Sequence, residues 1–286
     1  ENDYWAVKDK TQVDLKNKLA KLGKPLSEWG INIFRGILTG HNDAFIIDEN
    51  KKNELVKFDK KNNDIIKPLI RGRDVERYDY SFNNLYLINA HNGIKELELK
   101  PVDIPSDYPK VYEHLLKFKD KAVKRADQGD NWFNLRNCAY LKEFEKEKLI
   151  WAETMRIHKT GDRNFPRFGY DNNGIYTDKT VFFAIGTNLK YLLALLNSTI
   201  GKWLIMEYVT KLDTGGYMMQ KIFLDNIPIF CPNVKQEKEF ISIVDEILQF
   251  KSEGKDTLEL ENDINKLVFK LYEITPEEQK IIEKNQ

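Results

Sequence analysis

The stretch KLIWAETMRIHKTGDRNFPRFGYDNNGIYTDKTVFFAIG, residues 148–186, decides how the rest of the chain is read. Its ends, KLIWAE and IYTDKTVFFAIG, are short runs rich in β-branched and aromatic side chains, the composition of strands. Between them lie 21 residues, 154–174, made of turn formers, cations and rings. That is long for a connection inside a compact domain, and loops of this kind are usually functional or disordered. This one carries Arg156, His158, Lys159, Arg163, Asn164 and Arg167, with Phe165 and Phe168 to stiffen it.

Working outward, INIFRGILTGHNDAFIID predicts two strand-like stretches joined by a Thr-Gly-His-Asn-Asp turn, a hairpin or a bent strand pair. NNLYLINA predicts another strand. Residues 11–22 read as a short amphipathic helix on Val13, Leu15, Leu19 and Leu22, stopped by Gly23 and Pro25. Over residues 109–127, Val111, Leu115, Phe118 and Ala122 recur at helical spacing, with Pro109 in the first turn and Gly129 at the stop. The other face of that helix carries Lys110, Lys117, Lys121, Lys124 and Arg125, which a solvated surface explains as readily as phosphate tracking. Asn188 is placed to cap a long helix running through Tyr208. Its segment LKYLLALLNSTIGKWLIM is very apolar, but Lys190, Asn197, Ser198 and Lys202 mark a buried helix, not a membrane span.

The C-terminal part is helical. Phe240, Val244, Ile247 and Leu248 form one stripe, and Leu260, Ile264, Leu267, Val268 and Leu271 form the next. Thr275, Pro276 and Glu278 then spell a capping box. The expected fold class is mixed α/β: a curved, mainly antiparallel sheet with flanking helices, followed by a C-terminal helical tail. The expected division is one domain over residues 1–235, with a short N-terminal linker helix, and a helical hairpin or small bundle over 236–286.

Composition narrows the functional classes. The 286 residues hold 45 Lys and Arg against 45 Asp and Glu, so the chain as a whole is neutral. The charge is unevenly spread: residues 110–170 hold 14 cations against 9 carboxylates, and residues 236–286 hold 7 against 13. A basic middle and an acidic tail fit an anion-binding surface with a separate interaction segment. Two cysteines, Cys138 and Cys231, give neither a disulfide framework nor metal spacing. The first ten residues, ENDYWAVKDK, have neither a basic start nor an apolar run, so a cytoplasmic setting is expected. Gly-rich dinucleotide and phosphate-loop motifs, zinc patterns and a nucleophile–histidine triad are all missing from the sequence. EFEKEK, with Glu145 and Glu147, could be a cryptic magnesium-dependent nuclease cluster but reads more simply as a solvated charge run. No catalytic and no metal-ligating residue is expected.

Five blocks in order carry a family resemblance: WGINIFRGILTGHNDAFIID, IIKPLIRGRDVERY, NLRNCAYLKEFEKEKLIWAE, LKYLLALLNS and DNIPIF. With them the chain resembles, over roughly residues 4–286, the C-terminal specificity (target recognition) domain of TaqI-like and type IIG restriction-modification adenine methyltransferases. From IPIF onward it is also similar to type I restriction specificity subunits. The resemblance implies sequence-specific recognition of double-stranded DNA, while a methyltransferase domain, in cis or in trans, flips and methylates an adenine. S-adenosylmethionine is then expected only in that other domain, with no cofactor in this chain. A protein–protein adaptor working through the helical tail is the rival without DNA.

Base reading needs donors and acceptors that reach base edges, and phosphate contacts need cations, hydroxyls and backbone N–H groups. On that chemistry Arg156, Arg163, Asn164 and Arg167 are the expected base readers. Lys159, Arg136, Lys211, Thr214, Tyr217, Arg73 and Arg77 are the expected phosphate contacts. Lys211, Thr214 and Tyr217 surround a Gly-Gly pair, which suits close backbone approach and equally an ordinary turn. RGRDVERY, set between apolar segments, reads as a brace for the loop, with Asp74 pairing Arg71, Arg73 or Arg77.

Overall fold

The structure, a computed structural model, describes residues 10–157, 162–213 and 215–284. Helix α1 (Lys10–Leu22) leads to strands β1 (Gly23–Pro25), β2 (Ile31–Arg35) and β3 (Ile46–Asp48), helix α2 (Glu49–Phe58), and strands β4 (Ile66–Ile70) and β5 (Leu85–Ile88). Helix α3 (Pro109–Leu116) precedes strands β6 (Lys148–Ala152), β7 (Thr154–Arg156), β8 (Phe168–Asp171), β9 (Tyr176–Thr177) and β10 (Val181–Gly186). Helices α4 (Leu189–Asn197) and α5 (Thr199–Tyr208) follow, then strands β11 (Gly216–Met218) and β12 (Pro228–Phe230). Helices α6 (Val234–Ser252), α7 (Leu258–Leu271) and α8 (Pro276–Lys284) form the helical tail. The class is mixed α/β with mainly antiparallel strands.

All five residues of β6 are buried, which places the strand between two layers. Successive side chains of a strand point to opposite faces. Leu149 and Trp151 accordingly enter a core shared with the helices, while Ile150 enters a second core. On β10, Ala184 joins the first core, and Val181, Phe183 and Ile185 join the second. The sheet β2-β10-β6-β8 is therefore the wall between the two. The second core is closed by the sheet β3-β5-β4-β9, in which β9 runs parallel to β4.

The strands of INIFRGILTGHNDAFIID do not pair with each other as expected. β2 pairs with β10 and β3 with β5, so one predicted strand pair is divided between two sheets. The crossing happens at Gly36, where an added Cβ would lie 2.0 Å from the Asp178 carbonyl oxygen. Only glycine lets the two backbones come that close.

Two expected helices are interrupted. The one from Pro109 tightens at its end, where Lys117 donates to His114 O (3.3 Å) and Phe118 to Leu115 O (2.9 Å). The long helix breaks at Ser198, which caps α5 by accepting from Gly201 N (3.0 Å) and donates to Leu195 O (2.7 Å). Asn188 does not cap α4 with its side chain; it takes a left-handed backbone, φ 58°, instead. The capping box at Thr275 forms as expected, with Thr275 N to Glu278 Oε2 at 2.8 Å and Glu278 N to Thr275 Oγ1 at 3.2 Å.

Phe240, Val244 and Ile247 of α6, Ile264 and Val268 of α7, and Ile282 of α8 bury into the core that holds α4 and α5. Asn197, at the end of α4, docks its carboxamide on β8: Oδ1 accepts from Phe168 N (3.0 Å) and Nδ2 donates to Phe168 O (2.8 Å). Lys148 and Asp171 form a fully buried ion pair between β6 and β8. Tyr80 hydroxyl (2.9 Å) and the backbone N–H groups of Asn173 and Ile175 (3.0 Å each) also donate to Asp171. Among the described residues no helix is long and apolar enough to cross a membrane.

Candidate nucleic-acid interface

Strand β4 ends at Ile70, and the chain turns at Arg71 over Gly72 and Arg73. Asp74, 4% exposed, organises the turn by accepting from Arg71 N (2.8 Å) and from Asn83 Nδ2 (2.9 Å). Gly72 N donates to Thr180 Oγ1 (2.8 Å), and a Cβ there would meet Thr180 O at 2.8 Å. The turn is thus fixed from inside by one carboxylate and one hydroxyl, leaving the Arg73 guanidinium to face outward. Arg73 is exposed, only 3.9 Å from Asp74 Oδ1 at its nearest, and Arg71 Nε is buried without a hydrogen-bond partner. Arg77 is differently placed: it pairs with Glu261 of α7, donates to Pro166 O (3.1 Å) and lies over the Tyr78 ring.

The opposite wall comes from the loop after β6. Arg156 ends β7, exposed, opposite Gly216 of β11. A side chain at Gly216 would come within 2.9 Å of Thr154 Cγ2 and 3.3 Å of Arg156 Cγ, so the glycine keeps room for that arginine. Arg167 closes the base of the loop by donating to Asn164 O (3.2 Å) and Arg156 O (3.3 Å). Burial lowers its pKa, with Asp162 opposing the drop. Phe165, 2% exposed, packs against Tyr217 with ring centres 5.3 Å apart and the planes tilted by 38°.

Between the walls is an open cleft of about 880 Å³. Six cations line it (Arg71, Arg73, Arg77, Arg156, Arg167 and Lys251) against three carboxylates, Glu76, Glu153 and Asp178. All three carboxylates are already engaged, Glu76 by the Ser81 hydroxyl. Arg35 grips Glu153 with both oxygens at 2.9 and 2.8 Å, and Asp178 Oδ1 accepts from Thr180 N at 2.9 Å. The surplus is positive, and cations concentrated in a concave wall attract polyanions.

A family model for the TaqI-like C-terminal specificity domain matches residues 67–229, more than half of the chain. The chain belongs to that family. The specificity domain is 26% identical, over 243 residues, to the type II methyltransferase M.MjaIV of Methanocaldococcus jannaschii, an alignment covering 82% of this chain and 76% of that one. In fold it is similar to the type IIL restriction-modification enzyme MmeI, solved in complex with DNA: TM-score 0.69, 14% identity, 91% of this chain and 35% of that one. It is also similar in fold to the type IIG restriction endonuclease BpuSI: TM-score 0.53, 13% identity, 92% of this chain and 32% of that one. It spans about a third of the length of these two solved chains.

In the specificity domain, Arg156, Asn164 and Arg167 share the cleft with Arg73 and Arg77. Arg163 lies in a neighbouring cavity of about 270 Å³. Arg136 is elsewhere, paired with Asp127 (2.9 Å) beside a hollow of about 220 Å³. Tyr217, expected at a phosphate, is 3% exposed and packs into the core, which removes its ring from any DNA surface. Lys211 is exposed on the Gly-Gly loop. Lys159 and Thr214 lie outside the described residues. Arg125, counted with the basic helix face, is buried and donates to Trp132 O (3.0 Å) and to the carbonyls of Thr39 and Asn134; burial lowers its pKa to about 10.

Sequence reading missed Arg71 and Lys251 as cleft residues. Arg71 stood in RGRD but was taken for a bracing group. Lys251 sits in the last turn of α6, where a lysine is ordinary helix chemistry. Among the described residues no group of three or more His, Cys, Asp and Glu stands together to hold a metal. Glu145 and Glu147 accept from the hydroxyls of Tyr176 and Tyr170.

Proposed function

We propose that this specificity domain recognises a short sequence in double-stranded DNA on behalf of a restriction-modification adenine methyltransferase. The observation that carries it is the cleft itself: five arginines on two walls, one built by the RGRDVER turn and one by a long loop, joined by Lys251 of α6. Arg156 and Asn164 are the base readers, because they stand on the loop and carry the forks that match guanine and adenine edges. Arg71, Arg73 and Lys251 take phosphates, supplying affinity without sequence information. Arg167 and Arg77 hold the walls in shape through their bonds to carbonyls and to Glu261.

The chemistry belongs to a methyltransferase domain that closes on the duplex from the other side. This domain keeps the target adenine in register while it is flipped out of the stack. S-adenosylmethionine is assigned to that partner, since its sulfonium would be repelled by a cleft with surplus positive charge. Gel shifts of the chain against a panel of duplexes, at about 50 and about 200 mM salt, test the reading. Binding that weakens steeply with salt is expected; no duplex bound even at the lower concentration refutes it.

A further inference from the structure

The 270 Å³ cavity beside the cleft is lined by Lys202, Arg163, Thr199 and Asn265 among others, and Arg77 lines both hollows. Lys202 is 5% exposed and faces the Asp162 carboxylate electrostatically, without a hydrogen bond from its ammonium to a described residue. Burial lowers its pKa, Asp162 opposes that, and Arg77 adds to it. The stem of Lys202 is packed away while its ammonium opens on the cavity, so an anionic oxygen bound there would supply the acceptor the protein does not.

A second feature points into the same cavity. Helix α5 begins there, and the N-terminus of a helix favours anions. Its first N–H, on Thr199, is plugged by Asn265 Oδ1 at 2.8 Å, the place an anionic oxygen would take. Three cations (Arg77, Arg163, Lys202) meet two carboxylates (Asp162, Glu261) around the cavity, leaving one unit of positive charge to match. A space of 270 Å³ accepts a phosphate group and is too small for a base pair.

We propose that this cavity binds one backbone phosphodiester of the duplex, held by Lys202 and Arg163 beside the start of α5, anchoring a strand that lies in the arginine cleft. A free phosphate has the same chemistry, but the shared Arg77 puts the cavity next to the cleft, which favours a DNA strand. The proposal rests on the DNA-recognition reading.

Duplex binding by the full chain, with wild type, Lys202→Met and Arg163→Gln, tests it across a salt series. Both variants are expected to bind every duplex about five- to tenfold more weakly, with the slope of log affinity against log salt reduced by about one and sequence preference kept. Lys202→Met is expected to melt no lower than wild type; if it fails to fold, Arg163→Gln, an exposed position, decides alone. Folded variants with wild-type affinity and slope overturn the anchor and leave the recognition reading standing. Absence of duplex binding by wild type at about 50 mM salt overturns both. Inorganic phosphate is the control ligand. If it raises the melting temperature of wild type but not of Lys202→Met, while duplex binding is equal in the two, the site belongs to a small anion and the DNA anchor is overturned.

Discussion

Arg77 and Glu261 join the turn that builds one wall of the cleft to the helical tail, through an ion pair whose side chains are 11% and 16% exposed. The two residues are far apart in sequence, so the acidic tail acts on the cleft's architecture as well as on its own packing. Glu261 is also held by Thr257 Oγ1 at 2.8 Å, which fixes it for the guanidinium. Removing either partner leaves a charge in a poorly hydrated place. Arg77→Ala and Glu261→Ala are each expected to cost about 2 kcal/mol, the buried-pair penalty discounted for residual exposure. Chemical denaturation checks this, and a double mutant less destabilised than the sum of the singles identifies the pair as the cause.

Arg156 and Arg73 stand on opposite walls and separate two kinds of contact. Arg156→Ala is expected to change which sequence is preferred, at a cost of about 1–3 kcal/mol for the original site. Arg73→Ala is expected to weaken all duplexes alike and to lower the salt slope by about one. Selection from a randomised duplex pool reads both; an unchanged consensus for Arg156→Ala removes it as a base reader.

Tyr78 is fully enclosed, has a left-handed backbone with φ 67°, and its hydroxyl is buried with no hydrogen-bond partner. An unpaired buried hydroxyl lowers stability by about 1–3 kcal/mol relative to a satisfied one. Tyr78→Phe is therefore expected to melt at or above the wild-type temperature, with DNA binding intact. A clear drop in melting temperature would mean the hydroxyl has a partner after all.

His114 and His91 give the fold a pH dependence. Burial is the main cause lowering both pKa values from the ordinary 6.5; at His114 a bond to Ala44 O (3.1 Å) partly opposes it. Below about 6.5 the unfolded chain takes up protons that the folded one resists, so stability is held above that value and lost as pH falls through the lowered folded values. Denaturant midpoints measured from pH 7.5 to 5 are expected to fall, and to fall less in His114→Asn. An equal loss in that variant would place the effect on other groups.

Much of this architecture was legible because its signals are local. KLIWA and VFFAIG read as strands since both faces are buried and both must be apolar. Thr275 and Glu278 announced their helix start within four residues. What depends on distant partners was not legible. INIFR and AFIID look like neighbours until β10 and β5 claim them separately. Ser198 and Asn188 reversed roles, because Ser198 can bond Leu195 and Gly201 only once the helix has broken there. In the cleft, the loop residues Arg156, Asn164 and Arg167 were readable as a cationic cluster. Lys251 was not, being brought in by the packing of α6. Tyr217 misled for the opposite reason: beside two glycines it looked exposed, and Phe165 buries it.

Phe168 lies on an outer strand of its sheet, and Asn197 covers both of its outward backbone groups with a single carboxamide. Tyr78 N adds a further bond to Phe168 O at 2.8 Å. An uncovered outer strand is a template on which another chain can assemble. Here that position is filled by a side chain of the molecule itself, directly below the loop that the proposed function turns toward DNA. On the proposed function the loop can change its sequence, and with it the site recognised, while the strand that carries it stays closed to aggregation.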